Sequence, residues 1–148
     1  MPKVYDPRMH SAEHMLNQTM VRMFACGRSF SMHLEKKKSK CDYHFDRTLT
    51  DEEVREVERR VNEIIARDLA VHEDFLSREE ASAQFDLHRL PDATAEVVRI
   101  IHIGDYDACP CIGEHVKTTA EIGSFRIIST SYADGVLRIR FTIRESSE

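Results

Sequence analysis

Residues 125–144, FRIISTSYADGVLRIRFTIR, decide the fold. Asp134-Gly135 is a strong hairpin signal, because a two-residue turn between antiparallel strands needs positive φ, which Gly accepts and Asp tolerates. Phe125 to Ser131 and Val136 to Ile143 are the predicted strands on either side. In the second, Leu137, Ile139, Phe141 and Ile143 alternate with Arg138, Arg140, Thr142 and Arg144. That strand should bury one face and present a basic one.

Working outward, the same alternation marks two short strands at 29–34 and 41–46, with Lys36-Lys37-Lys38 in the connection between them. Between them and the final hairpin, Thr50-Asp51-Glu52-Glu53 is a capping-box pattern, followed by Val54, Val57, Val61, Ile64 and Ile65 at helical spacing to about Asp68. A helix from His10 to about Ala25 is predicted from Ala12, Met15, Leu16, Met20, Met23 and Phe24. A strand from Ala70 to Leu76, a short helix capped by Ser77 and Glu80, a break at Pro91, a strand over 96–103 and a loop from Gly104 to Gly113 complete the pattern. The expectation is an α/β domain of the α+β kind, residues 1–148 as one unit, with a mainly antiparallel sheet packed against two longer helices.

The 148 residues, 41% of them apolar, suffice for one buried core. No apolar run approaches the ~18 residues of a membrane span, and the N-terminus lacks a basic-then-apolar export pattern, so a cytoplasmic location without membrane contact is expected. The four cysteines are then core filler or metal ligands rather than disulfides. A net charge of -5 argues against electrostatic coating of nucleic acid, and any RNA contact must be local.

His10 and His14 are four apart on a predicted helix, so their rings project from one face and can share an ion. Two such histidines arise easily by chance in a chain with eight, and alone they read as packed or surface residues. Cys111-Ile112-Gly113-Glu114-His115 supplies a second pair at the same spacing, at a strand end. A His₃Cys set suits Zn²⁺, although four protein ligands resemble a structural site more than a catalytic one. Cys109 is an alternative thiol ligand, with its spacing to His115 less favourable than that of Cys111. His10 to His14 also satisfies His-x-x-Glu-His, a metallopeptidase pattern that would require a downstream carboxylate ligand and would leave Cys111 and His115 unexplained.

Together, His10-Ser11-Ala12-Glu13-His14-Met15-Leu16 and Cys111-x-Gly113-x-His115-Val116 resemble the paired motifs of the editing domain shared by alanyl- and threonyl-tRNA synthetases and free-standing alanyl-tRNA editing proteins. Leu49-Thr50, Val61-Asn62-Glu63-Ile64-Ile65, Val98-Arg99-Ile100 and Glu121-Ile122-Gly123 extend the resemblance over nearly the whole chain, and its form is closer to the alanyl branch. The resemblance implies a zinc-dependent trans-editing hydrolase that deacylates mischarged tRNA, with serine or glycine on the alanine tRNA, and it favours Cys111 as the thiol ligand. The barrel domain and synthetase core of longer members are not expected here. The alternative is a non-catalytic zinc module that binds RNA or protein.

Within that resemblance, Glu114 replaces a family threonine and is the preferred candidate for catalysis and for contact with the bound amino acid. Glu13 is the second candidate; it lies about 100° round the helix from His14, where a solvated residue is the bland expectation. Lys117, Arg138 and Arg140, with Lys36, Lys37, Lys38 and Arg144, are candidates for phosphate contacts at the tRNA acceptor end, or simply a solvated basic face.

Overall fold

A computed structural model of the chain describes residues 6–87, 90 and 94–145. In chain order it runs α1 (Pro7–Phe24), β1 (Ser31–Leu34), β2 (Ser39–His44), α2 (Asp51–Ala66), β3 (Val71–Ser77), α3 (Arg78–Gln84), β4 (Val97–Ile103), β5 (Asp107–Pro110), a 3-10 turn (Thr119–Ile122), β6 (Ser124–Ala133) and β7 (Val136–Arg144). The fold is α+β, as expected, with every strand pair antiparallel.

The β6–β7 hairpin forms around Asp134 and Gly135, at φ 50° and 80°, the two positive values a tight primed turn requires. Leu137, Ile139 and Phe141 are fully buried, and Arg138 and Arg140 lie on the opposite face. β2 pairs with β7 and β1 with β2, giving a four-stranded sheet in the order β1-β2-β7-β6, with Lys36 to Lys38 exposed in the β1–β2 connection.

α2 carries the predicted capping box, with the Glu53 N–H donating to Thr50 Oγ1 at 3.1 Å and the Thr50 N–H to Glu53 Oε1 at 2.9 Å. Its buried Val57, Val61, Ile64 and Ile65 pack into the main core. Asn62 then closes the β6 edge, accepting from the Phe125 N–H and donating to the Phe125 carbonyl, both at 2.8 Å. The Ile127 N–H donates to Glu58 Oε1 at 2.7 Å. Backbone groups on an edge strand are thereby covered by a helix.

Two expectations are corrected. The strands form two sheets, because Asp107 to Pro110 turns back as β5 and pairs with β4, making a three-stranded sheet β3-β4-β5 out of a segment that reads as loop. Four residues are too short to show alternation, and the neighbouring Gly and Pro residues mask them. Second, α1 begins at Pro7, not His10: the Asp6 carboxylate accepts from the Arg8 N–H at 2.9 Å as N-cap, and Pro7 occupies the first turn, where its missing N–H costs nothing. α3 follows its predicted Ser77/Glu80 cap, and Pro91 lies outside the described residues.

Contacts with α2, β5 and β7 surround α1, and it is buried almost all round from Met9 to Met20. Met9, Ala12, Met15, Leu16 and Met20 are core, yet His10, Glu13, His14 and Asn17 are equally buried. Polar groups at that depth call for partners. No described helix is long and apolar enough to cross a membrane.

Candidate metal centre

One face of α1 carries His10 and His14, and the segment leaving β5 brings Cys111 and His115 against it. The ligand-type atoms of these four residues all lie within 4.8 Å of one another. Ring centroids are 4.3 Å apart for His10 and His115, 4.4 Å for His14 and His115 and 5.0 Å for His10 and His14. Cys111 Sγ is 3.5 Å from His10 Nε2. Such a group can hold a metal ion.

The loop is anchored from behind. The Cys111 N–H donates to the Arg99 carbonyl at 3.2 Å, and Arg99 Nη1 donates back to the carbonyls of Cys111 at 3.0 Å and Gly113 at 2.8 Å. Gly113 is needed by close approach: a Cβ there would stand 2.3 Å from Cε1 of the His10 ring.

Electrostatics prepares two of the four groups, Cys111 and His115, for ligation. Burial alone would raise the Cys111 thiol, but the surrounding His10, His115 and His14 outweigh it and bring the thiol down to about 3. Burial, the Cys111 contact notwithstanding, and the nearby His14 and His10 push His115 down to about 4. A thiolate and a neutral imidazole are the forms that bind metal. His115 Nε2 is buried without a hydrogen-bond partner, whereas its Nδ1 is 2.9 Å from Ser11 Oγ, which also accepts the Val116 N–H at 3.2 Å. With Nε2 as ligand, Nδ1 carries the proton and donates to Ser11, which fixes the ring. The donor set therefore fits a metal.

Asp107, which no spacing in the sequence singles out, lies 3.6 Å by Oδ2 from His14 Nδ1. Its Oδ1 accepts from Arg28 Nη1 at 2.7 Å and Gln18 Nε2 at 2.8 Å. Burial would raise this carboxyl, but His14 and Arg28 prevail and hold it well below the usual carboxylate range. On His14 the desolvation that disfavours its charge is outweighed by Asp107 and Cys111, so its pKa is raised well above the ordinary value. Metal binding must displace that proton.

A cavity of about 650 Å³ opens beside the cluster, lined by His10, Glu13, His14 and Asn17 of α1 together with Arg28 and Cys111, among others. Glu13 is buried, with Oε2 lacking a hydrogen-bond partner and lying 3.9 Å from His14 Nε2. The solvated position expected for it is corrected: α1 is enclosed on nearly every side. Glu114 is exposed and does not line the cavity, whereas Glu13 does. Cys109, on β5, lines the cavity but is outside the four-residue cluster. Lys117, Arg138 and Arg140 do not line it either. Arg138 binds Asp42 at 2.8 and 3.0 Å, Arg140 donates to Ser129 Oγ at 3.3 Å, and Lys117 is exposed. The metallopeptidase alternative finds no support in this cluster, whose remaining members are Cys111 and His115 rather than a carboxylate.

Residues 98–140 match the family described as the threonyl and alanyl tRNA synthetase second additional domain. The chain is 31% identical over 144 residues to an alanine–tRNA ligase of Methanopyrus kandleri, covering 95% of this chain and 16% of that protein. It is 35% identical over 140 residues to that of Neisseria meningitidis serogroup B, covering 89% and 15%. With the ligase of Halorubrum lacusprofundi the identity is 39% over 101 residues, covering 66% and 11%. The chain thus spans less than a fifth of the length of these relatives.

Proposed function

We propose that this chain, which belongs to the family of the threonyl and alanyl tRNA synthetase second additional domain, is a zinc-dependent hydrolase that deacylates mischarged tRNA presented in trans in the cytoplasm. The relatives are named alanine–tRNA ligases, which makes seryl or glycyl esters of the alanine tRNA the substrates of choice. The observation that carries the reading is a buried, unpartnered carboxylate oxygen, Glu13 Oε2, beside a His₃Cys cluster and within the same cavity.

Three imidazoles and a thiolate suit zinc better than calcium or magnesium, which prefer oxygen. Zinc held there would polarise the ester carbonyl. Glu13 takes a proton from the attacking water as its oxygen bonds to the carbonyl carbon. When the bond from that carbon to the ribose oxygen breaks, the proton passes to the ribose oxygen, releasing the amino acid and restoring the tRNA hydroxyl. General base catalysis of this kind contributes about 10²–10⁴-fold. Asp107 holds His14, and Ser11 holds His115, through their Nδ1 atoms. Arg138, Arg140 and Lys117 are assigned to backbone phosphates of the acceptor end, farther from the ester. Glu114 has no part in the chemistry.

Four protein ligands already complete a tetrahedron, which favours as second reading a non-catalytic zinc module that binds RNA or protein. Incubating the zinc-loaded protein with seryl-, glycyl- and threonyl-tRNA, with and without chelator, separates the two. Chelator-sensitive release of amino acid supports the hydrolase; tRNA binding without release supports the module.

A further inference from the structure

Asn17 lies one turn beyond Glu13 on α1, is 1% exposed and lines the cavity. Its Oδ1 accepts the Ser29 N–H at 2.8 Å, and that donor fixes which end of the amide is oxygen. The NH₂ end is left with no hydrogen bond to any described residue. This NH₂ group belongs to the lining of the cavity that His10 and His14 also line, where a bound acceptor can engage it.

We infer that Asn17 is a specificity-determining residue whose NH₂ donates to the side-chain hydroxyl of a β-hydroxy aminoacyl group, so that the site prefers seryl to glycyl esters. The inference rests on the proposed deacylation. The chemistry selects the partner. An α-ammonium is donor-only and cannot accept from Asn17, while the ester carbonyl is directed to the cluster. The hydroxyl remains as the acceptor that distinguishes one amino acid from another. From His14 to Asn17 is about one helical turn, ~5 Å along the axis, so a side chain extending from an ester at the cluster runs toward the amide. Glycine and alanine leave the donor unsatisfied, and a site built to bond a hydroxyl discriminates against analogues lacking it.

Asn17→Asp separates this role from a structural one, because it keeps an oxygen for the Ser29 N–H while removing the NH₂. On the zinc-loaded full chain, the ratio of kcat/KM for seryl-tRNA to that for glycyl-tRNA should fall about tenfold in Asn17→Asp, with bound zinc unchanged. Asn17→Ala should lose the same ratio and some thermal stability as well. A second arm measures calorimetric binding of the non-hydrolysable seryl and glycyl amides of 3′-amino-3′-deoxyadenosine. The unmodified protein should bind the seryl amide about tenfold more tightly, and Asn17→Asp should bind both alike. If neither tRNA is hydrolysed while this preference is present, the deacylase reading fails and the Asn17 assignment stands. Equal binding of the two amides by the unmodified protein, or a ratio unchanged in Asn17→Asp, would each overturn it.

Discussion

The Asp107 carboxylate and the His14 imidazole face each other at 3.6 Å across Nδ1, leaving Nε2 on the side of the metal cluster. Arg28 and Gln18 hold the carboxylate from behind, so the ring inherits its orientation from a residue 93 positions away in the chain. Carboxylates of this kind orient ligand histidines and raise their basicity. Asp107→Asn should therefore weaken zinc binding by about ten- to a hundredfold, measured by competition with a chromophoric chelator. It should also lower thermal stability, since Arg28 loses its partner. Unchanged affinity would remove Asp107 from the metal site.

Cys111 and Cys109, two residues apart, should differ sharply in reactivity in the metal-free protein. The Cys111 thiol is brought down to about 3 by the surrounding histidines against its burial, while burial pushes the Cys109 thiol up. The thiolate is the nucleophile, so alkylation of Cys111 by iodoacetamide should be nearly independent of pH between about 5 and 8. Cys109 should react only as pH rises toward its own raised value. Zinc should protect Cys111. Peptide mapping after timed alkylation checks this, and a Cys111 rate that climbs about tenfold per pH unit across that range would contradict it.

Much of this is legible because the signals are local. The Thr50 and Ser77 caps, the Asp134-Gly135 turn and the alternation of β7 all depend on residues within a few positions of one another, and the two ligand pairs each sit at a spacing that one element can express. The second sheet was not legible. β5 has four residues, and its pairing with β4 depends on a turn through Gly104 rather than on pattern. Asp107, Arg28 and Asn17 escaped for the same reason, since their roles come from where β5 and the segment after α1 meet in space. Glu13 reads as solvated because it lies about 100° round the helix from His14, whereas α1 is enclosed from Met9 to Met20.

The choice between the two glutamates is directly measurable. Glu13→Gln should lower deacylation of seryl-tRNA by roughly 100-fold or more while bound zinc stays at the level of the unmodified protein, because the amide cannot take the proton of the attacking water. Glu114→Gln should leave both quantities nearly unchanged. Single-turnover release of labelled serine, with metal analysis on the same samples, checks the pair. A large loss in Glu114→Gln with none in Glu13→Gln would restore the sequence-based preference.

Gly113 offers a test of the site that needs no substrate. A methyl group at this position would stand 2.3 Å from Cε1 and 2.6 Å from Nδ1 of His10, closer than any real contact. The loop has little freedom to retreat, because Arg99 Nη1 holds the Gly113 carbonyl at 2.8 Å and the Cys111 carbonyl at 3.0 Å, and the Cys111 N–H is tied to β4. Whichever side gives way, the effect falls on a ligand: either the His10 ring swings from its place or Cys111 moves with the loop. Gly113→Ala should thus weaken zinc binding by roughly tenfold or more, since binding depends on all ligands meeting at one point. Gly27→Ala is the control, as a Cβ there meets nothing within 4 Å. Circular dichroism of both variants should match the unmodified protein, which separates a displaced ligand from a failure to fold. Equal zinc affinity in Gly113→Ala and Gly27→Ala would show that the loop can move away from His10 without disturbing the cluster, and the close approach would then have no part in metal binding.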